Sequence, residues 1–251
     1  MYKVGIDLGS SYTKGVLVDS SNQIIDYHLV KTGFDFNRSS KRIIDKFSEN
    51  FKIDLPIYTC GYGREKLEVE SVSNSEIMAL AEAVYHLYNK KCSVIDIGGQ
   101  DTKYIKINEI GKVDKFRMNR KCAAGTGSFL EEIAFRLDVS ATEFNSFAEQ
   151  ATETIKINSF CTVFAVSEIV GMIKNGLTMP NIVLGIYNSI LDRSFELANI
   201  DDSLILTGGI PDYHPIILKL IQKKIPNAVS PEKSQFMAAY GSVLLNTKRV
   251  N

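Results

Sequence analysis

Short apolar segments separated by turn-forming residues open the chain, and this pattern predicts β-strands. Residues 3–8, 13–18 and 23–30 each have the apolar content of a strand. The tetrapeptide at 19–22, Asp-Ser-Ser-Asn, separates the last two segments and has the composition of a tight turn. This part of the chain is therefore expected to form an antiparallel meander.

Helical periodicity separates this region from a second set of predicted strands. Apolar residues recur with helical spacing over 75–90, and residues 39–50 also suit a helix. Residues 53–64 predict a strand that enters a glycine-containing turn. Residues 93–97 predict a buried strand, and after a Gly-Gly turn residues 102–107 predict the next one. Strands that alternate with helices are typical of an α/β protein.

One motif occurs twice along the chain. The segments GIDLGSSYTK at 5–14 and VIDIGGQDTK at 94–103 share an apolar strand, an aspartate, a glycine turn and a Thr-Lys pair. This duplication predicts two related lobes. A third glycine turn at 207–209 follows another apolar strand. Small residues in the last predicted helix, 235–246, predict close packing of the kind expected where a helix crosses between lobes.

Composition and charge exclude several classes of function. The chain has 251 residues with 29 basic and 29 acidic side chains, so it lacks the basic excess of a protein that binds nucleic acid or acidic membranes electrostatically. No segment approaches the roughly eighteen continuous apolar residues of a membrane span. The N-terminal sequence MYKVGIDLG has no apolar signal-peptide region. We therefore expect a cytoplasmic protein that binds neither nucleic acid nor membrane.

The duplicated turns are candidate phosphate-binding sites. A strand that ends in Asp-x-Gly places a carboxylate beside free backbone N–H groups. These groups can bind phosphate oxygens, and the carboxylate can hold Mg²⁺ directly or through water. One such sequence is as often a simple turn. Two matching copies and a third Gly-Gly turn favour a nucleotide, although the G-x-x-x-x-G-K-[ST] sequence of P-loop ATPases is absent.

The three turns resemble the phosphate-1, phosphate-2 and adenosine motifs of the acetate and sugar kinase, heat-shock chaperone and actin (ASKHA) superfamily. The resemblance implies an α/β fold of two ribonuclease-H-like lobes with a nucleotide cleft between them. Residues 1–90 plus about 236–251 would form the first lobe and residues 91–235 the second. The implied ligands are ATP or ADP with Mg²⁺, and Asp7 and Asp96 would flank the metal through water. The residues implied in catalysis are Asp7, Asp96 and Gln100, and those implied in nucleotide binding are Gly9, Ser10, Ser11, Thr13, Lys14, Gly98, Gly99, Asp101, Gly208 and Gly209.

Four cysteines are too few and too scattered for a disulfide framework. Cys122 and Cys161 each precede an apolar pattern of helical period, so each is expected at the start of a helix, where a thiolate is favoured. Cys60 and Cys92 are expected in the core. Burial as a small hydrophobe is the ordinary role of any single cysteine. A [4Fe–4S] cluster needs four ligands, which two cysteines from each subunit of a symmetric dimer could supply, and the residues alone leave both interpretations open.

The cysteine segments carry a closer resemblance. CAAGTGSFLE and SFCTVFAVSE, together with VIDIGGQD and CGYGR, resemble the ATP-dependent activators of 2-hydroxyacyl-CoA dehydratases and the ATPase subunits of benzoyl-CoA reductases, from residue 4 to about residue 245. This resemblance implies a homodimer with one [4Fe–4S] cluster between the subunits, held by Cys122 and Cys161 of each. It implies that ATP hydrolysis moves the helices that carry the cluster, and that one low-potential electron passes to an iron–sulfur dehydratase or reductase. A ferredoxin or flavodoxin would supply the electron.

Departures from the family pattern leave both cysteines and both aspartates in place. Arg120-Lys121 precedes Cys122 where an acidic residue is usual, Val166-Ser167-Glu168 stands where Glu-Ser-Glu is usual, and Pro211-Asp212-Tyr213 follows the adenosine turn. These differences bear on which partner is activated. Glu168 is expected equally near the nucleotide or on a helix surface.

Two other functions fit the same nucleotide motifs. One is a small-molecule kinase of this fold, acting on a sugar or an acyl group, in which the cysteines only pack. A kinase needs a general base for the acceptor hydroxyl, and no distinctive acceptor-site motif is present. The other is a nucleotide-dependent binding or assembly protein without redox chemistry. A bound iron–sulfur cluster would distinguish the activator from both.

Overall fold

The computed structural model of the chain describes residues 2–49, 55–65, 67–119, 123–158, 161–197, 200 and 203–247. The chain divides into two compact units. The first comprises Met1–Lys91, Ile105–Lys115 and Gln235–Asn251. The second comprises Cys92–Tyr104 and Phe116–Ser234.

The strands are β1 (Lys3–Leu8), β2 (Tyr12–Val18), β3 (Ile24–Lys31), β4 (Ile57–Cys60), β5 (Val72–Ser73), β6 (Cys92–Ile97), β7 (Thr102–Ile107), β8 (Val113–Asn119) and β9 (Leu204–Thr207). The helices are α1 (Phe36–Ser48), α2 (Glu76–Tyr88), α3 (Gly127–Leu137), α4 (Ala141–Gln150), α5 (Thr162–Lys174), α6 (Met179–Glu196), α7 (Gly209–Tyr213), α8 (Ile216–Gln222) and α9 (Met237–Thr247). Among the described residues, no helix combines the length and the apolar character that crossing a membrane requires.

The first unit is built on a sheet with the strand order β3-β2-β1-β4-β5. Strands β1, β2 and β3 pair antiparallel, which confirms the predicted meander. Strand β4 adds to β1 in parallel, and the register places Asp7 beside Cys60. The core of this unit packs Ile6 of the sheet with Ile43 and Phe47 of α1. Because β1 and β4 are parallel, their carboxyl ends lie together at one edge of the sheet.

Helix α1 begins earlier than the pattern of residues 39–50 predicts. Asp35 is its N-cap, and Asp35 Oδ1 accepts hydrogen bonds from the backbone N–H groups of Asn37 and Arg38 at 2.9 and 3.1 Å. A capping carboxylate pairs N–H groups that the first turn of a helix leaves unsatisfied. The cap therefore fixes the start of the helix at Phe36, ahead of the first apolar position that repeats.

The small residues of α9 make close contacts within the first unit. Gly241 lies against the backbone of Ala79 in α2, and a Cβ atom at Gly241 would clash with the Ala79 carbonyl oxygen. A Cβ atom at Gly5 of β1 would likewise clash with the carbonyl oxygen of Ala239. The predicted close packing of this helix is confirmed, and its partners include α2, β1, β4 and β2 of the same unit.

A second sheet has the strand order β8-β7-β6-β9, and its strands β6 and β9 lie wholly in the second unit. Strands β6 and β9 are parallel, so their carboxyl ends meet at one edge. The core includes Ile182, Ile186 and Ile190, which follow one face of α6 at helical spacing and are fully buried. Phe129 of α3 and Phe144 of α4 complete this face of the core.

A polar pair lies inside the second core. The hydroxyl group of Tyr187 and Nδ1 of His214 share a hydrogen bond of 2.7 Å, and the two rings are in edge contact. Burial disfavours the charged form of each group. It lowers the pKa of His214 to about 4 and raises the pKa of Tyr187. Both side chains are therefore neutral near pH 7, and the hydrogen bond satisfies them.

Candidate functional site

The phosphate-1 turn joins β1 and β2. Asp7 and Lys14 face each other across these antiparallel strands, and Lys14 Nζ donates to Asp7 Oδ2 at 2.9 Å. The Asp7 side chain is 5% exposed and that of Lys14 is 20% exposed. Ser10 is exposed and Ser11 is half-buried. The structure thus brings the predicted aspartate, lysine and turn residues together at one edge of the first sheet.

A network of hydroxyl groups supports this turn from inside. Thr13 Oγ1 donates to Ser39 Oγ at 3.0 Å and lies 3.0 Å from Thr32 Oγ1. Thr32 Oγ1 donates to the carbonyl oxygen of Gly9 at 2.8 Å. Thr13 is fully buried, so its hydroxyl group holds the turn in shape from the interior. Sequence reasoning missed the contribution of Thr32 and Ser39, which come from later segments.

One oxygen of Asp7 is available in the first unit. Asp7 Oδ1 is buried and accepts no hydrogen bond from the described residues. Gly61, in the turn after β4, has φ +90°, and a Cβ atom at this position would clash with Asp7 Oδ1. Only glycine fits here, because both the backbone conformation and the space exclude a side chain. Sequence reasoning missed this function of Gly61. Knowing that β4 pairs with β1 beside Cys60 would have revealed it.

The phosphate-2 turn joins β6 and β7 and repeats the first geometry. Lys103 Nζ donates to Asp96 Oδ2 at 3.2 Å and to Asp101 Oδ1 at 2.8 Å. The backbone N–H of Gly98 donates to the Asp101 carbonyl oxygen at 2.9 Å, which closes the turn. Gln100 is exposed at its tip. Lys103 is 3% exposed, so its charge is held between two carboxylates inside the protein.

The adenosine turn starts where β9 ends. Thr207 lies beside Asp96 in the parallel register, and Thr207 Oγ1 donates to Asp96 Oδ1 at 2.9 Å. Gly208 follows with φ +101°, and a Cβ atom there would clash with the carbonyl oxygen of Ile97. At Gly209, by contrast, a Cβ atom would have no neighbour within 4 Å. Only glycine therefore fits at position 208, whereas Gly209 leaves open space at the start of α7.

A later segment fixes this turn. Ser234 Oγ donates to the Gly208 carbonyl oxygen at 3.0 Å. Asp212 Oδ1 accepts hydrogen bonds from the backbone N–H and from the hydroxyl group of Ser234, at 2.8 and 2.9 Å. Asp212 belongs to the segment that departs from the family pattern, and here it holds Ser234 against the turn. The sequence gives no local signal for Ser234, because it is distant from Gly208 along the chain.

Helix α3 begins against the phosphate-2 turn. The backbone N–H groups of Gly127 and Ser128 donate to the carbonyl oxygens of Gly98 and Gly99 at 2.9 and 2.7 Å. Thr126 is the N-cap, so the prediction that a helix starts at Cys122 is wrong: the helix begins at Gly127. Gly125, before the cap, has φ +84°, which turns the chain into the helix. Cys122 itself, with Arg120 and Lys121, lies outside the described residues.

Cys161 is exposed and is the N-cap of α5. Its carbonyl oxygen accepts from the N–H of Ala165 at 2.8 Å, as the first turn of a helix requires. Glu168, on the same helix, accepts hydrogen bonds at Oε1 from the backbone N–H and side-chain amide of Asn158, at 3.0 and 3.1 Å. Glu168 therefore holds Asn158, which lies three positions before Cys161.

The other two cysteines in the described residues are buried. Cys60 is fully buried and donates to the carbonyl oxygen of Ala238 at 3.3 Å, and Cys92 is 3% exposed. Their prediction as core residues is confirmed. The described residues contain no group of three or more His, Cys, Asp or Glu side chains that could hold a metal ion.

Known proteins share this architecture. The chain is 37% identical over 217 residues to the activator of lactoyl-CoA dehydratase from Anaerotignum propionicum, which covers 84% of this chain and 83% of that protein. Component A of (R)-2-hydroxyglutaryl-CoA dehydratase from Acidaminococcus fermentans superposes with a TM-score of 0.91 at 30% identity over the full length of both chains. The activator of 2-hydroxyisocaproyl-CoA dehydratase from Clostridium difficile, solved with bound ADPNP, gives a TM-score of 0.90 at 28% identity, covering 99% of this chain and 95% of that one.

More distant structures define the fold class. A glucokinase of the ROK family from Streptomyces griseus gives a TM-score of 0.60 at 12% identity, a likeness of fold alone, covering 98% of this chain and 99% of that one. The protein thus has the two-lobed, actin-like fold of the ASKHA superfamily. Over residues 4–246 the sequence matches the BadF/BadG/BcrA/BcrD ATPase family, and the chain belongs to that family.

Proposed function

We propose that this protein is an ATP-dependent activator that delivers one low-potential electron to a partner iron–sulfur enzyme of the acyl-CoA dehydratase or reductase type. The observation that carries the proposal is Cys161, an exposed thiol at the N-cap of α5, in a chain that also has both phosphate turns of its family. The relatives named as dehydratase activators support the same function.

The phosphate turns support binding of ATP or ADP with Mg²⁺. Magnesium prefers oxygen ligands and retains several waters. Asp7 Oδ1 suits it, because this buried oxygen accepts no hydrogen bond from the described residues. Asp7, with Asp96 on the second turn, would hold the ion and its waters, and Mg²⁺ supplies charge neutralisation for the phosphate groups. Because Lys14 and Lys103 are paired with carboxylates, the ion is the positive charge best placed to do this.

The chemistry of the cysteines suits a [4Fe–4S] cluster. Thiolates are the usual ligands of such clusters. Cys122 and Cys161 of each of two chains would hold it, and the cluster supplies one-electron transfer at low potential when bound. The thiol of Cys161 is accessible for this purpose, whereas those of Cys60 and Cys92 are buried. An exposed thiol with this function fits a reducing, anoxic cytoplasm.

Exposed apolar side chains near Cys161 support a homodimer. Val163 and Phe164 follow Cys161 on α5 and are 71% and 67% exposed. Ile173, further along α5, and Phe135 on α3 are 40% and 80% exposed. Large exposed apolar surface is typical of an interface. A second copy of the chain that shares the cluster would cover this surface and contribute the missing ligands.

The start of α3 suggests how nucleotide state reaches the ligands. The backbone of Gly127 and Ser128 is hydrogen-bonded to Gly98 and Gly99, so a shift of the phosphate-2 turn shifts the segment that leads to Cys122. A nucleotide changes this arrangement only if it binds two arrangements with different affinity. ATP and ADP differ in their phosphate groups, and the family pattern assigns phosphate binding to this turn.

A redox assay tests the proposal. The protein is reconstituted with iron and sulfide under anoxic conditions, reduced with dithionite, and mixed with an oxidised 2-hydroxyacyl-CoA dehydratase or benzoyl-CoA reductase. We expect the cluster absorbance to return to its oxidised form with MgATP, together with phosphate release, and not with MgADPNP. Re-oxidation at the same rate without nucleotide would overturn the proposal. The absence of re-oxidation with either acceptor enzyme would overturn it as well. Transfer of the γ-phosphate to a sugar or acyl acceptor would identify a kinase instead.

A further inference from the structure

A chain of buried hydrogen bonds runs through the second unit. Thr207 Oγ1 donates to Asp96 Oδ1 at 2.9 Å, Lys103 Nζ donates to Asp96 Oδ2 at 3.2 Å, and the same Nζ donates to Asp101 Oδ1 at 2.8 Å. Thr207 is fully buried, and Lys103 and Asp96 are 3% and 8% exposed. Asp96, Asp101 and Lys103 belong to the phosphate-2 motif, whereas Thr207 is 111 positions from Asp96, so the chain of bonds ties the end of β9 to that motif.

The connection joins the ends of two strands. Asp96 and Thr207 are paired in the parallel register of β6 and β9, and each is followed by a glycine turn. The phosphate-2 turn continues from Ile97 through Gly98, and the adenosine turn continues from Thr207 into Gly208. Gly208 is packed against the Ile97 carbonyl oxygen, which leaves no space for the turns to be closer. The hydrogen bond from Thr207 opposes their separation.

The two copies of the motif differ at this point. Both oxygens of Asp96 accept hydrogen bonds, one from Thr207 and one from Lys103. In the first copy, Asp7 Oδ2 accepts from Lys14, and Asp7 Oδ1 is left without a hydrogen-bond partner among the described residues. The first aspartate thus has one oxygen without a protein partner among the described residues, whereas both oxygens of the second also hold protein segments in place.

We propose that Thr207 is a positioning residue, which through Asp96 fixes the adenosine turn relative to the phosphate-2 turn. The inference rests on the proposed nucleotide function. A nucleotide that contacts both turns gains affinity when they are held at the correct separation, because the second contact is then made without a further loss of freedom. A ligand that contacts only the adenosine turn gains nothing from this connection.

Two ligands and two substitutions test the inference. Dissociation constants for MgADP and for adenosine are measured by calorimetry on the full-length protein and on its Thr207→Val and Thr207→Ser variants. Valine has the shape of threonine without the hydroxyl group, and serine keeps the hydroxyl group. Thr207→Val removes a hydrogen bond to a charged carboxylate. From the usual strength of such bonds we expect the affinity for MgADP to fall about tenfold. Adenosine affinity should stay unchanged, and Thr207→Ser should bind MgADP as the unsubstituted protein does.

Ser194→Ala is the matched control. Ser194 is a buried residue of α6 in the same unit, and its hydroxyl group donates to the Ile190 carbonyl oxygen at 2.9 Å. Loss of this bond should leave the ratio of MgADP to adenosine affinity unchanged. Thr207→Ala provides a second variant if the valine variant does not fold. Equal weakening of both ligands, or no weakening of MgADP, would overturn the inference. Failure of the unsubstituted protein to bind MgADP would instead overturn the proposed function.

Discussion

Lys14 lies directly across the strands from Asp7 and donates to its Oδ2 at 2.9 Å. Lys103 has the same relationship to Asp96 in the second unit, at 3.2 Å. Each lysine follows its aspartate by seven positions, so the duplicated sequence produces a duplicated ion pair. Each lysine therefore neutralises charge at its aspartate and fixes that side chain.

Replacing Lys14 by methionine tests this role. The variant leaves the Asp7 carboxylate buried without its ionic partner, a change that is costly inside a protein. Because the lysine is one-fifth exposed, we expect a loss of about 2 kcal/mol in the free energy of unfolding, measured with urea. We also expect MgADP affinity to fall, since the uncompensated carboxylate repels phosphate.

Lys41→Met is the control for this prediction. Lys41 pairs with Asp45 at 2.8 Å on the surface of α1, where both side chains are largely exposed. An exposed pair contributes little, so this variant should change the unfolding free energy by less than about 0.5 kcal/mol and leave MgADP binding unchanged. Equal effects of the two substitutions would show that the position of Lys14 beside Asp7 has no special importance.

Gly61→Ala should damage the phosphate-1 site through contact with Asp7. The added methyl group collides with Asp7 Oδ1, in addition to the strain of φ +90°. Gly33 has φ +66°, and a Cβ atom there would have no neighbour within 4 Å, so Gly33→Ala has the strain without the collision. We expect MgATP hydrolysis to fall at least tenfold in Gly61→Ala and to persist in Gly33→Ala. Similar rates would contradict the assigned function of Asp7 Oδ1.

Glu168 should matter for retention of iron at Cys161. Its Oε1 accepts two hydrogen bonds from Asn158, which hold the segment before the cysteine. Glu168→Ala removes both bonds, whereas Glu168→Gln keeps an oxygen acceptor. After anoxic reconstitution we expect faster loss of iron to a chelator from the alanine variant than from the glutamine variant. The exposed Glu131→Ala on α3 serves as the control and should retain iron normally.

Burial of His214 should make the folded protein less stable in mild acid. Burial lowers its pKa to about 4, whereas the unfolded chain has the ordinary value of about 6.5. Between these values the unfolded state binds more protons, so the contribution of His214 is complete above pH 6.5 and is lost as the pH falls through 4. The difference amounts to about 3 kcal/mol. The free energy of unfolding, measured with urea at a series of pH values, should change less steeply with pH in His214→Gln than in the unsubstituted protein.

A histidine outside the core provides the control for this measurement. His28 lies on β3 and is only half-buried. His28→Gln makes the same substitution without touching the buried Tyr187–His214 pair, so the two variants are compared over the same pH range. An unchanged slope in His214→Gln would mean that another group causes the acid sensitivity.

Local patterns predicted the parts of the fold that depend on local chemistry. The antiparallel meander follows from three apolar segments and a polar turn, and the register confirms it. The family and its two-lobed fold were also predictable, because short motifs such as the two Asp-x-Gly turns carry them. The helix that follows Cys122 was predicted too early, since Thr126 and Gly125 set its start and neither belongs to the apolar pattern.

Contacts between distant segments were not predictable in the same way. Gly61 borders Asp7 only because β4 joins β1 in parallel, and no local pattern specifies that pairing. Ser234 supports Gly208, and Thr207 donates to Asp96, across long stretches of chain. A single sequence records which residues have hydrogen-bonding groups, and the tertiary fold decides which of them meet.

Iron content after anoxic reconstitution shows whether Cys122 and Cys161 of two chains hold an iron–sulfur cluster. A cluster shared by two chains predicts about four iron and four sulfide ions per two chains. We expect the cluster to be lost in Cys161→Ser and in Cys122→Ser. The buried Cys92→Ser variant is the control and should keep the full complement. An iron-free unsubstituted protein, or a Cys161→Ser variant with undiminished iron, would contradict the account.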